Sequence, residues 1–202
     1  ASLARACDDV VAVLTAADVP GANQVGNVIK DEPLLAEGAV HCVGQPVALV
    51  LARTVEAARH AARQVRLDIE PLAAVFDPRE AFARGQLIAP PRTFAVGDVD
   101  VAWASCDVVV SGRAESGAQE HLYLETQAAL AVPVEGGGLR LLSATQAPTA
   151  VQRTVAGVLG IDMHRVEVDV RRLGGGFGGK EDQATPWACL AALGAWRTGC
   201  PV

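Results

Sequence analysis

Residues 171–181 read Arg-Arg-Leu-Gly-Gly-Gly-Phe-Gly-Gly-Lys-Glu, with glycine at 174, 175, 176, 178 and 179. No regular element tolerates that density, because an ordered glycine gives up more backbone freedom than any other residue. The segment is therefore a loop, and its flanks say what it joins. Upstream, Val166, Val168 and Val170 alternate with Glu167, Asp169 and Arg171, the period of a strand with one apolar face. Downstream, residues 186–196 are mostly apolar and are closed by Gly199 and Pro201, the pattern of a helix. A loop between strand and helix start offers backbone N–H groups to a ligand. A structural turn needs one or two glycines, so the run reads as a ligand loop.

Two nucleotide readings fail on the flanking residues. Gly174, Gly176 and Gly179 satisfy G-x-G-x-x-G. The first strand of a dinucleotide fold is buried on both faces and nearly continuously apolar, whereas this one alternates. Such a fold also needs an acidic residue about 20 positions on, and no Asp or Glu follows Asp182. A P-loop needs Ser or Thr after its lysine, but Lys180 is followed by Glu181.

The remaining pattern mixes both element types. Residues 47–52 form an apolar run of strand length after the turn Gly44-Gln45-Pro46. Thr54 is placed to cap a helix over 55–65, and residues 65–69 alternate as a second strand. Residues 76–100 contain Pro78, Pro90, Pro91 and Gly97 and read as a linker with one short helix near 79–84 and a domain boundary near residue 88. Strands are expected at 107–111 and 139–144. A helix is expected from Pro148, with Val151, Val155 and Leu159 on one face and Gly160 as its stop. The fold class is α+β, a mixed α/β arrangement.

Composition removes several function classes. Half of the 202 residues are apolar, which excludes disorder, and a chain of this length buries a core without staples. No apolar run approaches the ~18 residues of a membrane helix. The net charge is −6, with no basic cluster beyond Arg171-Arg172, so a nucleic-acid surface is not expected. Five cysteines lack C-x-x-C spacing and read as small hydrophobes in a reducing, cytoplasmic setting. His41, His60 and His164 are scattered and show no metal spacing.

With these residues in view, the chain resembles a known family. Residues 171–181 are similar to the signature loop of the molybdenum-binding subunit of xanthine dehydrogenases, in the molybdenum hydroxylase family. Residues 119–127, Gln-Glu-His-Leu-Tyr-Leu-Glu-Thr-Gln, resemble that subunit's Q-E-H-[FLY]-Y-L-E stretch, and residues 143–148, Ser-Ala-Thr-Gln-Ala-Pro, its S-T-Q-x-P-like segment. Gly44-Gln45-Pro46-Val47-Ala48, Glu70-Pro71-Leu72 and Asp31-Glu32-Pro33-Leu34-Leu35 resemble the preceding a/b hammerhead domain. The resemblance runs in order along essentially the whole chain. It implies a hammerhead domain over residues 1–88, then the first part of a molybdopterin-binding domain over 89–202. It implies a piece of a longer subunit, inactive by itself, with the catalytic base glutamate and a substrate-binding arginine outside it.

The resemblance also implies chemistry and partners. The cofactor is molybdopterin, with iron–sulfur clusters and FAD on other domains or subunits. The expected partners are the remaining C-terminal part of the subunit, an iron–sulfur/FAD subunit and further copies in an oligomer. The expected activity is hydroxylation of purines, hypoxanthine or xanthine to urate, as in purine catabolism. Two alternatives stand beside it: another molybdenum hydroxylase acting on aldehydes or N-heterocycles, and a non-catalytic assembly fragment. By motif, Gln146 hydrogen-bonds the metal's oxo group through its amide, which donates without bringing charge. Gly176, Phe177 and Gly178 bring backbone N–H groups to the cofactor. Gln146 and Phe177 thus stand beside molybdenum without ligating it. Glu181 contacts the purine, where aldehyde oxidases carry an apolar residue.

Each role has a structural rival. Gln146 can satisfy backbone groups at a strand end, Phe177 can anchor the loop, and Glu181 can be a carboxylate at a helix start. Glu120 and His121 read as structural rather than as an acid–base pair. Lys180 is expected to face solvent or a backbone carbonyl. The loop itself is expected to be mobile when no ligand fills it.

Overall fold

Leu139 and Leu141 alternate with Arg140 and Leu142, and this period of two builds the central strand of the larger sheet. The computed structural model describes all 202 residues, Ala1–Val202. In it β3 (Ala129–Val134), β4 (Gly138–Ser143) and β5 (Val166–Asp169) form one sheet in that order. β3 and β4 are antiparallel, joined by a tight turn at residues 135–137; β4 and β5 are parallel, with Leu139 opposite Val166 and Leu142 opposite Asp169. Parallel strands need a crossover, which is α5 (Pro148–Leu159). Val151, Val155, Val158 and Leu159 bury its inner face, and Gly160 ends it in the left-handed conformation at φ 67°. After β5 and the glycine loop comes α6 (Thr185–Thr198), which buries Ala188, Cys189, Ala192 and Leu193.

The N-terminal residues share this core. β1 (Val10–Leu14) pairs antiparallel with β2 (Leu49–Ala52), behind a four-residue helix, α1 (Ser2–Arg5). Thr54 caps α2 (Val55–Ala62) as expected, its hydroxyl accepting from the Ala57 N–H at 3.1 Å. Leu14, Leu34, Leu35 and Leu51 join the core of sheet, α5 and α6. The close approach is built in: a Cβ on Gly194 would lie 2.9 Å from Leu51 Cδ2. The amides of Gly21 and Ala22 donate at 2.9 Å to the carbonyls of Val158 and Gly157, satisfying the end of α5 from outside the helix.

The chain divides into two compact units: residues 1–66 with 120–202, described above, and residues 67–119. The second unit holds α3 (Pro78–Ala83) and α4 (Val99–Ala104), capped by Asp77 and Asp98. None of its residues is buried.

Several expectations are corrected. The strands expected at 65–69 and 107–111 do not form. Both lack a neighbouring strand to take their backbone groups, and neither the alternation of 65–69 nor the apolar run of 108–110 can supply one. β1 and β3 were not foreseen, nor was α4. Pro133 inside β3 obscured that strand, since proline is rare in the middle of a sheet.

Candidate functional site

The sheet order brings two loops together. Gln146 follows β4 and the glycine run follows β5, so both leave the carboxyl ends of the parallel pair, where open α/β sheets place their ligands. A cleft of about 420 Å³ opens at the same end, lined among others by Glu125, Leu142, Ser143, Asp169 and Arg171. The Ser143 hydroxyl is buried there without a partner.

The glycine loop is tied at both ends, contrary to the expectation that only Phe177 would hold it. The Gly174 N–H donates to Glu125 Oε2 at 2.8 Å, and the Glu125 N–H donates to the Gly174 carbonyl at 3.2 Å. At the far end, the N–H groups of Gly178 and Lys180 both donate to Gln146 Oε1, at 3.1 and 3.2 Å. The Gln146 N–H donates to the Lys180 carbonyl at 2.8 Å, and the Thr145 hydroxyl to the same carbonyl at 3.2 Å. Gln127 Nε2 donates to the Gly179 carbonyl and to the Tyr123 hydroxyl, each at 3.0 Å.

This tying explains glycines that the sequence assigned to a ligand alone. A Cβ on Gly176 would collide with the Gln146 side chain, and one on Gly179 would lie 2.7 Å from the Tyr123 ring. The run is therefore a packing feature, a role not expected of it from the sequence. Phe177 is 74% exposed, so it is not a hydrophobic anchor. It sits at φ 51°, and Leu122 on the facing segment at φ 47°. Non-glycine residues in that region cost about 1–3 kcal/mol each and collect at functional sites.

Lys180 is the largest correction. Its side chain is fully buried rather than solvent-facing. Its ammonium donates to Glu125 Oε2 at 3.0 Å and lies 4.7 Å from the centre of the Tyr123 ring. The Gly174 N–H first, and the Lys180 ammonium second, hold the Glu125 carboxyl below the usual carboxylate range. Lys180, Glu125, Tyr123 and Gln127 were missed as site residues. A signal existed: residues 121, 123, 125 and 127 alternate, and all four meet the loop while Leu122 and Leu124 are exposed. His121 stacks on Tyr123 with ring centres 6.3 Å apart, and its Nδ1 lies 3.8 Å from Glu120.

The five residues proposed from sequence meet in part. Gln146, Phe177 and Gly178 are exposed and lie together, with Gly176 buried against the Gln146 amide. Glu181 follows directly on Lys180, exposed, with no hydrogen bond or ion pair of its own. It precedes α6 by four residues, outside the first turn, so the helix-start reading of its carboxylate loses its geometry. Because Gln146 Oε1 is occupied by the loop, its NH₂ is left to donate outward. The N–H groups of Gly175, Gly176 and Phe177 have no partner within the chain. The surface is thus a set of neutral donors, suited to a group rich in acceptor atoms. No three His, Cys, Asp or Glu side chains converge as metal ligands.

Comparison with known proteins gives the family. Residues 82–202 match the family described as "Molybdopterin cofactor-binding domain", and residues 1–73 match "Aldehyde oxidase and xanthine dehydrogenase, a/b hammerhead domain". Among curated relatives, xanthine dehydrogenase of Oryza sativa subsp. japonica is 39% identical over the whole chain, which spans 15% of that protein. Aldehyde oxidase 2 of Cavia porcellus is 38% identical over 96% of the chain and 14% of its own length. Among solved structures, quinoline 2-oxidoreductase from Pseudomonas putida 86 superposes with a TM-score of 0.83 at 29% identity, over 100% of this chain and 28% of that one. Aldehyde oxidoreductase from Desulfovibrio gigas gives 0.83 at 27%, over 100% and 24%. The fold class and the molybdopterin-binding assignment read from the motifs agree with these matches, and the chain belongs to the aldehyde oxidase and xanthine dehydrogenase family of molybdenum hydroxylases.

Proposed function

We propose that this chain forms one wall of the cofactor and substrate site of a molybdenum hydroxylase, a xanthine dehydrogenase acting on purines. The observation that carries the reading is the donor surface: Gln146 with its carbonyl locked and its NH₂ free, beside the unpartnered amides of Gly175–Phe177. These residues fit a molybdopterin, whose oxo group and pterin edge are acceptors. When bound, that cofactor supplies hydroxylation of an electron-poor carbon. This chain's residues orient it: Gln146 and the loop amides donate to it, and Gly176 lets the loop lie flat on the Gln146 amide. Glu181, free of partners and next in sequence, meets the substrate and accepts from a purine N–H or, protonated, donates to a ring nitrogen. The domain boundary falls near residue 88. The rest of the subunit, an iron–sulfur/FAD partner, an oligomeric assembly and a cytoplasmic location belong to the same reading.

A second substrate class has specific support. The aldehyde oxidase relative is nearly as similar as the xanthine dehydrogenase, and quinoline 2-oxidoreductase shares the fold over the whole chain. The test is Glu181→Ala in the full-length enzyme. The kcat/KM for a purine falls by roughly 10²-fold, the usual loss for one donor to developing charge, while a small aldehyde is spared and molybdenum content is unchanged. Parallel losses of purine rate, aldehyde rate and metal would make Glu181 a structural residue and remove the purine assignment. No change in either rate would do the same.

A further inference from the structure

The loop of residues 174–180 closes on a single atom. Glu125 Oε2 takes the N–H of its first residue at 2.8 Å and the ammonium of its last residue at 3.0 Å. A fully buried ammonium is costly unless it is paired. Lys180 has one carboxylate partner and one aromatic face, that of Tyr123. The same Lys180 exchanges backbone hydrogen bonds with Gln146, donating to its side-chain carbonyl and accepting from its backbone N–H. The side chain of Lys180 is thus tied to Glu125 while its backbone is tied to Gln146. We propose that Lys180 and Glu125 are positioning residues. They form a clasp, its ammonium end buried, that sets the Gly175–Phe177 amides and the Gln146 NH₂ in their donating arrangement before the cofactor binds. The inference rests on the proposed function for the identity of the ligand, and on the geometry alone for the clasp.

The rival is an ion pair that merely stabilises the fold, and the double variant separates the two. Lys180→Met, Glu125→Gln and the pair Lys180→Met/Glu125→Gln are made in the full-length enzyme. Three quantities are read: thermal midpoint, molybdenum and pterin content, and amide exchange over residues 174–180 in enzyme prepared without molybdate. Wild-type amides at Gly178 and Lys180 are protected without cofactor. Glu125→Gln leaves the buried Lys180 ammonium without its carboxylate and lowers the midpoint; the double variant removes that charge and recovers it. The double variant does not recover the loop. Exchange at positions 178 and 180 rises about ten- to a hundredfold, as for loss of one hydrogen bond to a charged group, and cofactor content falls severalfold. If the double variant regains midpoint, protection and cofactor together, the pair is only a stabilising contact and the proposal is wrong. It is equally wrong if the wild-type loop exchanges freely without cofactor. If protection behaves as expected but the wild-type enzyme holds no molybdenum, the functional reading falls and the clasp stands.

Discussion

Glu125 shows how one carboxylate can govern a loop. Its pKa is held below the ordinary value of 4.5, first by the Gly174 N–H and then by Lys180. A depressed carboxyl contributes its stabilisation in full above the unfolded value and loses it as the pH falls through the folded one. Protection of the Gly174 amide should therefore be flat at neutral pH and fall only once the pH drops below about 4.5. The check is amide exchange against pH, with Glu125→Gln as control: its protection should show no such acid step. Little of this was legible beforehand. The motif drew attention to Gln146, Phe177 and Glu181, but burial of Lys180 depends on a segment about 50 residues earlier in the chain. A lysine beside glycines carries no local mark of burial, because lysine is almost never fully buried unless paired. Cys189 is the simpler case: it lies on the buried face of α6, and burial pushes its thiol up, away from reactivity.

At the scale of elements, legibility followed the source of each element's stability. α5 and α2 were readable because their caps and apolar faces are local: Pro148 and Gly160 for one, Thr54 for the other. β5 was readable by its period of two, and β4 by the glycine turn before it. The strand expected at 107–111 rested on the apolar run Val108–Val110 and has no partner, and it stays irregular with Val108 and Val110 exposed. The central strand also holds the site. Leu141 is fully buried on β4, two residues before Ser143 and five before Gln146. Leu141→Ala should cost roughly 2–5 kcal/mol, the usual range for a leucine emptied from a packed core. Chemical denaturation of the 202-residue chain measures it. A loss below 1 kcal/mol would mean that the sheet does not carry this core.

At the scale of the whole molecule, the two units differ in kind. Residues 1–66 and 120–202 share a core of leucine, valine and alanine, whereas residues 67–119 bury nothing and keep Phe76, Phe94 and Trp103 exposed. Segments without buried apolar contacts open at low cost. Limited proteolysis of the chain expressed alone should therefore cut first within 67–119, leaving two fragments that stay associated through the β4, α5 and α6 core. First cuts within α5 or α6 would contradict this. Glu181→Ala in the full-length enzyme belongs to the same scale, since its two outcomes distinguish a purine enzyme from an aldehyde enzyme.

Tyr123 is the only tyrosine in the chain. Its ring lies over the Lys180 ammonium, and its hydroxyl accepts from the Gln127 amide that also holds Gly179. A phenol with a cation against its face absorbs ultraviolet light differently from one in water. Beside three tryptophans, the 202-residue chain thus carries a single phenol, seated at the loop's fastening. Its difference spectrum reports opening and closing optically, with no label attached and no other phenol to obscure the signal.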